Sequence, residues 1–336
     1  MPTISAARVS WRGVEFGRRA LLKIACILAL ACSDGRRGKV SDQPSPAADV
    51  ELEAKEATDA CSLSALPLRR PAPARLVAIG DLHGDLPATK DALRAAGAID
   101  ETGAWTGGEL VVVQTGDILD RGDDEVEIYA YLESLAGQAD KAGGAIVLLN
   151  GNHEFMNARG DMSYVTAGGF ADFAEPGDVG SGAGRRRANF APGGAFARRL
   201  AAFNVVAIVG DTVFAHGGIE PSYAKRDLGA LNREARCWLS GQSKAPPSFL
   251  GDDGPVWSRR FSSDPPDCAS LAVALASLGV KRMVVGHTTQ SSGITKACDG
   301  TIWRIDVGLS RHYGGPIEVL ELRDGTAKVL EGTRSP

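Results

Sequence analysis

Residues Leu110 to Asp124 read "LVVVQTGDILDRGDD", an apolar run that stops at a glycine and spills into acids and one arginine. The near-continuous apolar character of Leu110 to Gln114 is the pattern of a strand buried on both faces of a parallel sheet. Its carboxyl end delivers Asp117, Asp120 and Arg121, and open α/β sheets bind ligands in the crevice beyond the carboxyl ends of their strands. The rest of the chain can be placed around that crevice.

Upstream, "RLVAIGD" at 75–81 is a strand ending in a glycine and an acid. It precedes a helix, "PATKDALRAAGA" at 87–98, with Pro87 in an allowed first-turn position. Downstream, a helix over about 125–139 leads into the strand "AIVLLN" at 145–150. This alternation predicts a parallel α/β core. Residues 156–194 interrupt it with a long glycine-rich segment containing "GSGAGRRR" at 180–187, which reads as a loop with a solvated arginine run. A helix at about 194–203 follows. Then "NVVAIVGDTVFAHGG" places two apolar runs around Gly210-Asp211, a hairpin signal. After a helix at about 267–279 come strands at 282–287, 301–308, 317–322 and 327–332. The second half is thus more antiparallel. The expected class is α/β (α+β), two mixed β-sheets packed face to face and flanked by helices.

With 336 residues, 44% hydrophobic and 23% charged, the chain has the composition of a globular protein. Its net charge is −4 and the N-terminal segment is itself basic, so the body is more acidic still and carries no nucleic-acid footprint. Residues 18–32, "RRALLKIACILALAC", have the charged, apolar and small-residue layout of an export signal, too short to span a membrane comfortably. Arg18-Arg19 resembles a twin-arginine signature, and Cys32 a bacterial lipoprotein acceptor. The expected organisation is a signal at 1–32, a disordered tether at 33–73 and a catalytic domain at 74–333, periplasmic and lipid-anchored at Cys32, with a plain secretory signal cut nearby or an uncleaved signal anchor as the alternatives. Cys61, Cys237, Cys268 and Cys298 then permit one or two disulfides whose pairing the sequence leaves open, Cys237–Cys268 being one candidate.

Four of the five histidines sit at strand ends beside glycine, in "GDLHGD", "GNHE", "FAHGG" and "VGHTT". A lone histidine in such a place is usually structural. Four in one setting point to a metal cluster, because imidazole and carboxylate ligate Zn, Fe and Mn and glycine lets backbone approach the ion. Asp81 and His83, two apart at a strand end, can face one side. Asp81, His83, Asp117, Asn152, His216 and His287 can hold two ions if one carboxylate is shared, and Asp117 is the natural bridge.

These blocks resemble the calcineurin-like metallophosphoesterases, in particular the phosphoprotein phosphatase branch, whose pattern runs GDxHG, GDxxDRG, GNHE, HG and a late GH. "GNHE" with Glu154, together with "DRG", marks that branch. Asp85 completing "GDLHGD", "GGF" at 168–170, "PGG" at 192–194, "GPVWSR" at 254–259 and "WRIDVGLS" with "YGG" at 303–315 are similar to the Shewanella-like protein phosphatases. Asn150 stands where the eukaryotic serine/threonine enzymes carry arginine. The resemblance implies the calcineurin-like fold and two divalent ions, with Mn favoured and Fe or Zn as alternatives. Asp81, His83 and Asp117 would hold one ion; Asp117, Asn152, His216 and His287 would hold the other. It also implies that His153 is the general acid, oriented by Asp120, and that a hydroxide between the metals attacks phosphorus. Arg121 and Arg259 would clamp phosphate oxygens beside Asn152 and Tyr313, with Arg260 the rival of Arg259. The expected activity is phosphomonoester hydrolysis on phosphoproteins, phosphotyrosine foremost. The alternatives are a broad small-molecule phosphatase or dinucleoside polyphosphate hydrolase, and a non-catalytic envelope lipoprotein that keeps the fold for binding.

Overall fold

The computed structural model describes residues 61–174 and 182–336. Its strands are, in chain order, β1 (Arg69–Arg70), β2 (Arg75–Ile79), β3 (Val111–Gln114), β4 (Ala145–Leu148), β5 (Val206–Val209), β6 (Thr212–Ala215), β7 (Arg282–Val285), β8 (Thr295–Ala297), β9 (Ile302–Arg304), β10 (Glu318–Arg323) and β11 (Thr326–Glu331). One sheet has the order β11-β10-β2-β3-β4, and the other β1-β5-β6-β7-β9-β8. Both are mixed. β2, β3 and β4 are parallel, with β10 antiparallel to β2, while β5 and β6 form the hairpin around Gly210-Asp211.

Alternation along each strand divides the apolar residues between two layers. Leu76, Ala78, Val113 and Leu320 of one sheet meet Phe214, Val284 and Trp303 of the other in one buried cluster. Val77, Ile79 and Val112 point the opposite way, toward Ala92, Leu93, Ile128 and Leu132 of the covering helices Leu86–Ala95 and Glu125–Lys141. Residues such as Leu132 and Phe214 each contribute about 1.5–3 kcal/mol by leaving water. Face-to-face sheets with outer helices are therefore what this sequence builds.

The consequence for function is geometric. β2, β3, β6 and β7 are followed directly by "GD", "TGD", "HGG" and "GH", and β4 by "LNGN", so five strand ends bring their polar residues to one edge.

Three expectations need correction. The tether does not extend to residue 73: Cys61 is buried in a disulfide with Cys237, and Arg69–Arg70 pairs in parallel with Ile208–Val209. The second disulfide joins Cys268 to Cys298, so Cys237 and Cys268 are not partners. The 156–194 segment is not one loop but carries the helices Ala167–Ala171 and Ala183–Phe190, and Arg186 within "RRR" is fully buried rather than solvated. Between the β5–β6 hairpin and β7 the chain also forms the amphipathic helix Leu228–Leu239, capped by Asp227 accepting from the Gly229 N–H. The proposed signal and Cys32 lie outside the described residues. Among those described, no helix is long and apolar enough to cross a membrane.

Candidate active site

The loops after β2 and β3 are locked together by backbone bonds. The N–H groups of Leu82 and His83 both donate to the Asp117 carbonyl, and Gly84 N–H donates to Ile118. The two loops touch where Gly84 meets Gly122, and a side chain on either glycine would collide with the other's backbone. Holding this geometry costs strain. His83, Asp117, Asp120, Arg121 and His287 all have positive φ, between 46° and 70°, and non-glycine residues in that region cluster at functional sites.

Glu154 supplies much of the compensation. It is fully buried, and its carboxylate accepts from the backbone N–H groups of Asp117, Ile118, Leu119 and Gly151 and from Tyr129 Oη. One side chain thus ties the 117–119 turn to the start of the helix Asn152–Ala158. Asp117 Oδ1 in turn accepts from the His153 N–H at 3.0 Å, which leaves Oδ2 facing the crevice.

Three imidazoles converge on that oxygen. His83 Nδ1 donates to the Leu119 carbonyl at 2.9 Å, His216 Nδ1 to Thr115 at 3.1 Å and His287 Nε2 to Trp257 at 3.1 Å. Each bond fixes a tautomer and leaves the other ring nitrogen as a lone pair aimed inward, as metal-ligating histidines are held. His216 Nε2 then lies 3.1 Å from Asp117 Oδ2, 2.9 Å from Asn152 Oδ1 and 3.2 Å from His287 Nδ1. On the other side, His83 Nε2 is 3.9 Å from both Asp81 Oδ2 and Asp117 Oδ2. So many acceptor lone pairs facing one another with no proton between them fit a cation, and the mixed His, Asp and Asn set fits two divalent ions sharing Asp117.

The electrostatics agree. Burial pulls His83 down to about 4 and His287 down to about 2, so both rings are neutral donors at physiological pH. Burial, then Asp306 and Asp117, push the Asp81 carboxyl well above its ordinary value. Burial also pushes Asp117 up, but the imidazoles of His216 and His153 more than offset this and hold it well below. A buried carboxylate cluster of this kind is stable only with compensating positive charge.

His153 behaves differently from the other three. Its Nδ1 donates to Asp120 Oδ2 at 2.5 Å, and its Nε2 lies 3.7 Å from Asp117 Oδ2. Burial pulls its pKa down, but Asp117 and the bond to Asp120 raise it overall. Its Nε2 is close enough to His83 and Asp117 to count as a potential ligand. Unlike the other three rings, however, it gives its second nitrogen to a carboxylate, Asp120, rather than to a backbone carbonyl.

At the mouth, the Arg121 guanidinium lies over the ring of Tyr164 at 4.4 Å and that of Tyr313 at 5.3 Å, and its Nε has no hydrogen-bond partner among the described residues. Tyr313 also sits 5.5 Å from the His83 ring, and Tyr164 5.1 Å from that of His153. Arg259 Nη1 donates to the His287 carbonyl and Thr288 Oγ1, both at 2.9 Å. Arg260 is instead committed to Glu220 and Asp267, which separates the two rivals. Every described residue expected at the site is therefore gathered along one edge. Sequence reasoning missed Tyr164, the gathering role of Glu154, the buried Asp306, and Arg186.

Residues 74–291 match the calcineurin-like phosphoesterase family. The chain is 40% identical over 295 residues to Shewanella-like protein phosphatase 2 of Arabidopsis thaliana, covering 75% of each. It is 31% identical over 256 residues to Shewanella-like protein phosphatase 1 of Plasmodium berghei, covering 72% of this chain and 69% of that one. A solved structure, the cold-active protein-tyrosine phosphatase of a psychrophilic Shewanella species, aligns with a TM-score of 0.66 at 26% identity, over 80% of this chain and 83% of that one. With a cluster of His and Asp groups able to hold metal at the edge where its motifs meet, the chain belongs to the calcineurin-like phosphoesterase family, akin to the Shewanella-like protein phosphatases, and is a phosphatase.

Proposed function

We propose that the protein hydrolyses phosphotyrosine in phosphoproteins, with His153 as the proton donor. The observation that carries the substrate class is the placement of Arg121 between the exposed rings of Tyr164 and Tyr313. A guanidinium can grip a phosphate as a planar fork. The flanking rings offer an aryl group faces to pack against. The similarity to a Shewanella tyrosine phosphatase supports the same reading.

Asp81, His83 and Asp117 would hold one divalent ion, and Asp117, Asn152, His216 and His287 the other; Mn is our choice, with Fe or Zn suited to the same donors. Such a pair, when bound, activates water near neutral pH and polarises the phosphoryl group. The chain's own residues do the rest. Arg121 and Arg259, with Asn152 and Tyr313 nearby, orient the phosphate so that a water oxygen attacks phosphorus in line with the aryl oxygen. As that P–O bond breaks, its electron pair leaves on the phenolic oxygen, which takes the His153 Nε2 proton. Asp120 meanwhile holds Nδ1–H and stabilises the imidazolium beforehand. The proton shed by the attacking water restores His153, and the products are tyrosine and inorganic phosphate.

The two disulfides support an oxidising compartment, in line with our proposal of an exported protein, periplasmic and lipidated at Cys32. Nothing in the site favours a non-catalytic lipoprotein. The test is a substrate panel with added Mn: phosphotyrosine and phosphoserine peptides, nucleotides and diadenosine tetraphosphate. Preference for phosphotyrosine supports the proposal. Equal rates on all would assign a broad phosphatase, and a preference for diadenosine tetraphosphate a dinucleoside polyphosphate hydrolase.

A further inference from the structure

Arg186 is the most deeply enclosed cation of the described chain, with no exposed surface at all. It comes from the helix Ala183–Phe190, and its guanidinium is flanked by the rings of Phe190 at 4.7 Å and Phe173 at 5.5 Å. A charge placed there demands full hydrogen bonding. It has it. Nη1 donates to Glu125 Oε2 and to the Gly169 carbonyl, Nη2 donates to Glu125 Oε1 at 3.0 Å, and Nε and Nη2 both donate to Asn157 Oδ1, at 3.1 and 2.9 Å.

The partners of Arg186 are the partners of Asp120. Glu125 Oε1 accepts from the Asp120 backbone N–H, at a residue whose φ is +70°. Asn157 Nδ2 donates to Asp120 Oδ1 at 3.0 Å and to the His153 carbonyl at 3.0 Å. The guanidinium itself lies 3.6 Å from Asp120 Oδ1, in ion-pair range without a direct hydrogen bond. Backbone and carboxylate of Asp120 are therefore each held by a group that Arg186 holds. Asp120 Oδ2, the oxygen left over, is the one that grips His153.

A purely structural role is the competing explanation, since Arg186 also staples the Ala167–Ala171 helix through Gly169. That role would not require its fork to satisfy both groups that fix one carboxylate. We propose that Arg186 is a positioning residue for proton donation: through Asn157 and Glu125 it fixes Asp120 and thereby aims the His153 imidazole at the leaving oxygen. The inference rests on the proton-donor reading of His153 given above. It assigns a task to the 156–194 segment, which supplies the back wall of the Asp120–His153 pair.

The test is the dependence of rate on the leaving group. A general acid matters most when the departing oxygen is basic. Nitrophenolate leaves with little help, whereas phenolate needs a proton. The full-length, Mn-loaded protein is assayed for kcat/KM on phenyl phosphate and on p-nitrophenyl phosphate, and the ratio of the two is compared with wild type. Partial unfolding lowers both rates alike and leaves the ratio unchanged. Arg186→Lys keeps the charge that neutralises Glu125 but loses the fork, and the double variant Glu125→Gln/Arg186→Gln removes both charges together. In each, phenyl phosphate turnover should fall about 10- to 100-fold, the usual effect of losing an outer-shell orienting partner. The loss on p-nitrophenyl phosphate should be much smaller, with competitive inhibition by inorganic phosphate and metal content unchanged. His153→Asn is the reference. If it lowers the ratio while both Arg186 variants keep the wild-type value, the positioning role is overturned. If His153→Asn itself leaves the ratio unchanged, the proton-donor reading fails and this inference falls with it.

Discussion

Asp120 Oδ2 lies 2.5 Å from His153 Nδ1, while the same imidazole turns its Nε2 toward Asp117, 3.7 Å from Oδ2. The ring thus spans the distance between a carboxylate that takes no part in the histidine cluster and one at the cluster's centre. On the proposed assignment, proton donation and metal holding meet across one side chain.

That arrangement predicts different consequences for its two ends. His153→Asn should lower turnover of phosphotyrosine peptide by about 10²- to 10⁴-fold, the usual contribution of a general acid. Metal content measured by elemental analysis should stay at the wild-type value, because Asp81, His83, Asp117, Asn152, His216 and His287 are untouched. Asp120→Asn should lose activity with the same metal content, since an amide cannot both accept from Nδ1 and stabilise an imidazolium. Loss of metal in either variant would make His153 a ligand after all.

Asp117→Asn should instead empty the site. Asp117 Oδ2 lies 3.1 Å from His216 Nε2 and 3.9 Å from His83 Nε2, whereas Asp81 approaches His216 only at Nδ1, the nitrogen already given to Thr115, so Asp81 does not replace the shared charge. Less than one metal per chain is expected after gel filtration without added Mn. Full two-metal occupancy would refute the shared carboxylate.

How much of this could be read from the chain depends on where each element gets its stability. β3 and its neighbours announce themselves because apolar runs ending in glycine and acid have few alternatives, and the motif histidines follow directly. The segment from Cys61 to Arg70 carries no periodicity. It belongs to the fold through a disulfide, a two-residue strand pair and bonds such as Asn204 Nδ2 to the Pro67 carbonyl, which are long-range and leave no local signature. Arg186 was hidden differently: three consecutive arginines look alike, and which one is buried depends on the Glu125 and Asn157 waiting for it. The available sign was Phe190 four residues on, which puts an arginine and a phenylalanine on one helical face.

Removing the metals should uncover two opposed pH effects: His83 and His287, pulled down by burial, cost stability as pH falls, and the buried carboxyls cost it as pH rises. In the metal-free protein, burial raises the carboxyls of Asp81, Glu154 and Asp306, with Asp306 and Asp117 adding to the effect at Asp81. A carboxyl whose folded-state pKa is raised contributes stability that is fully present below its unfolded value, about 4, and lost as pH rises through the folded value. Asp117 runs the other way and loses its contribution as pH falls. Divalent ions bind the ionised ligands, so they remove the penalty where it is largest. The gap in Tm between Mn-loaded and chelator-treated protein should therefore widen from about pH 5 toward neutrality. A gap that narrows over that interval would contradict the assignment of these carboxyls to one metal-compensated cluster.

The Cys61–Cys237 bridge closes a separation of 176 residues and pins a segment that has little else to hold it. Around it, Arg233 Nη2 donates to the Cys61 carbonyl at 2.7 Å and Ser62 N–H to Gln242 Oε1 at 2.9 Å, contacts at or near the surface that contribute little once the chain is free to leave. By loop-closure arguments, losing a bridge this long costs about 2–5 kcal/mol. Cys61→Ser should then lower Tm by several degrees, and Cys61→Ser/Cys237→Ser should lower it equally, because both remove one crosslink. No residue from Cys61 to Arg70 contacts the histidine cluster, so kcat on p-nitrophenyl phosphate well below Tm should match wild type. An unchanged Tm in both variants would mean that the segment is held by its backbone pairing with β5 alone, and the fold would then begin at Arg69 rather than Cys61.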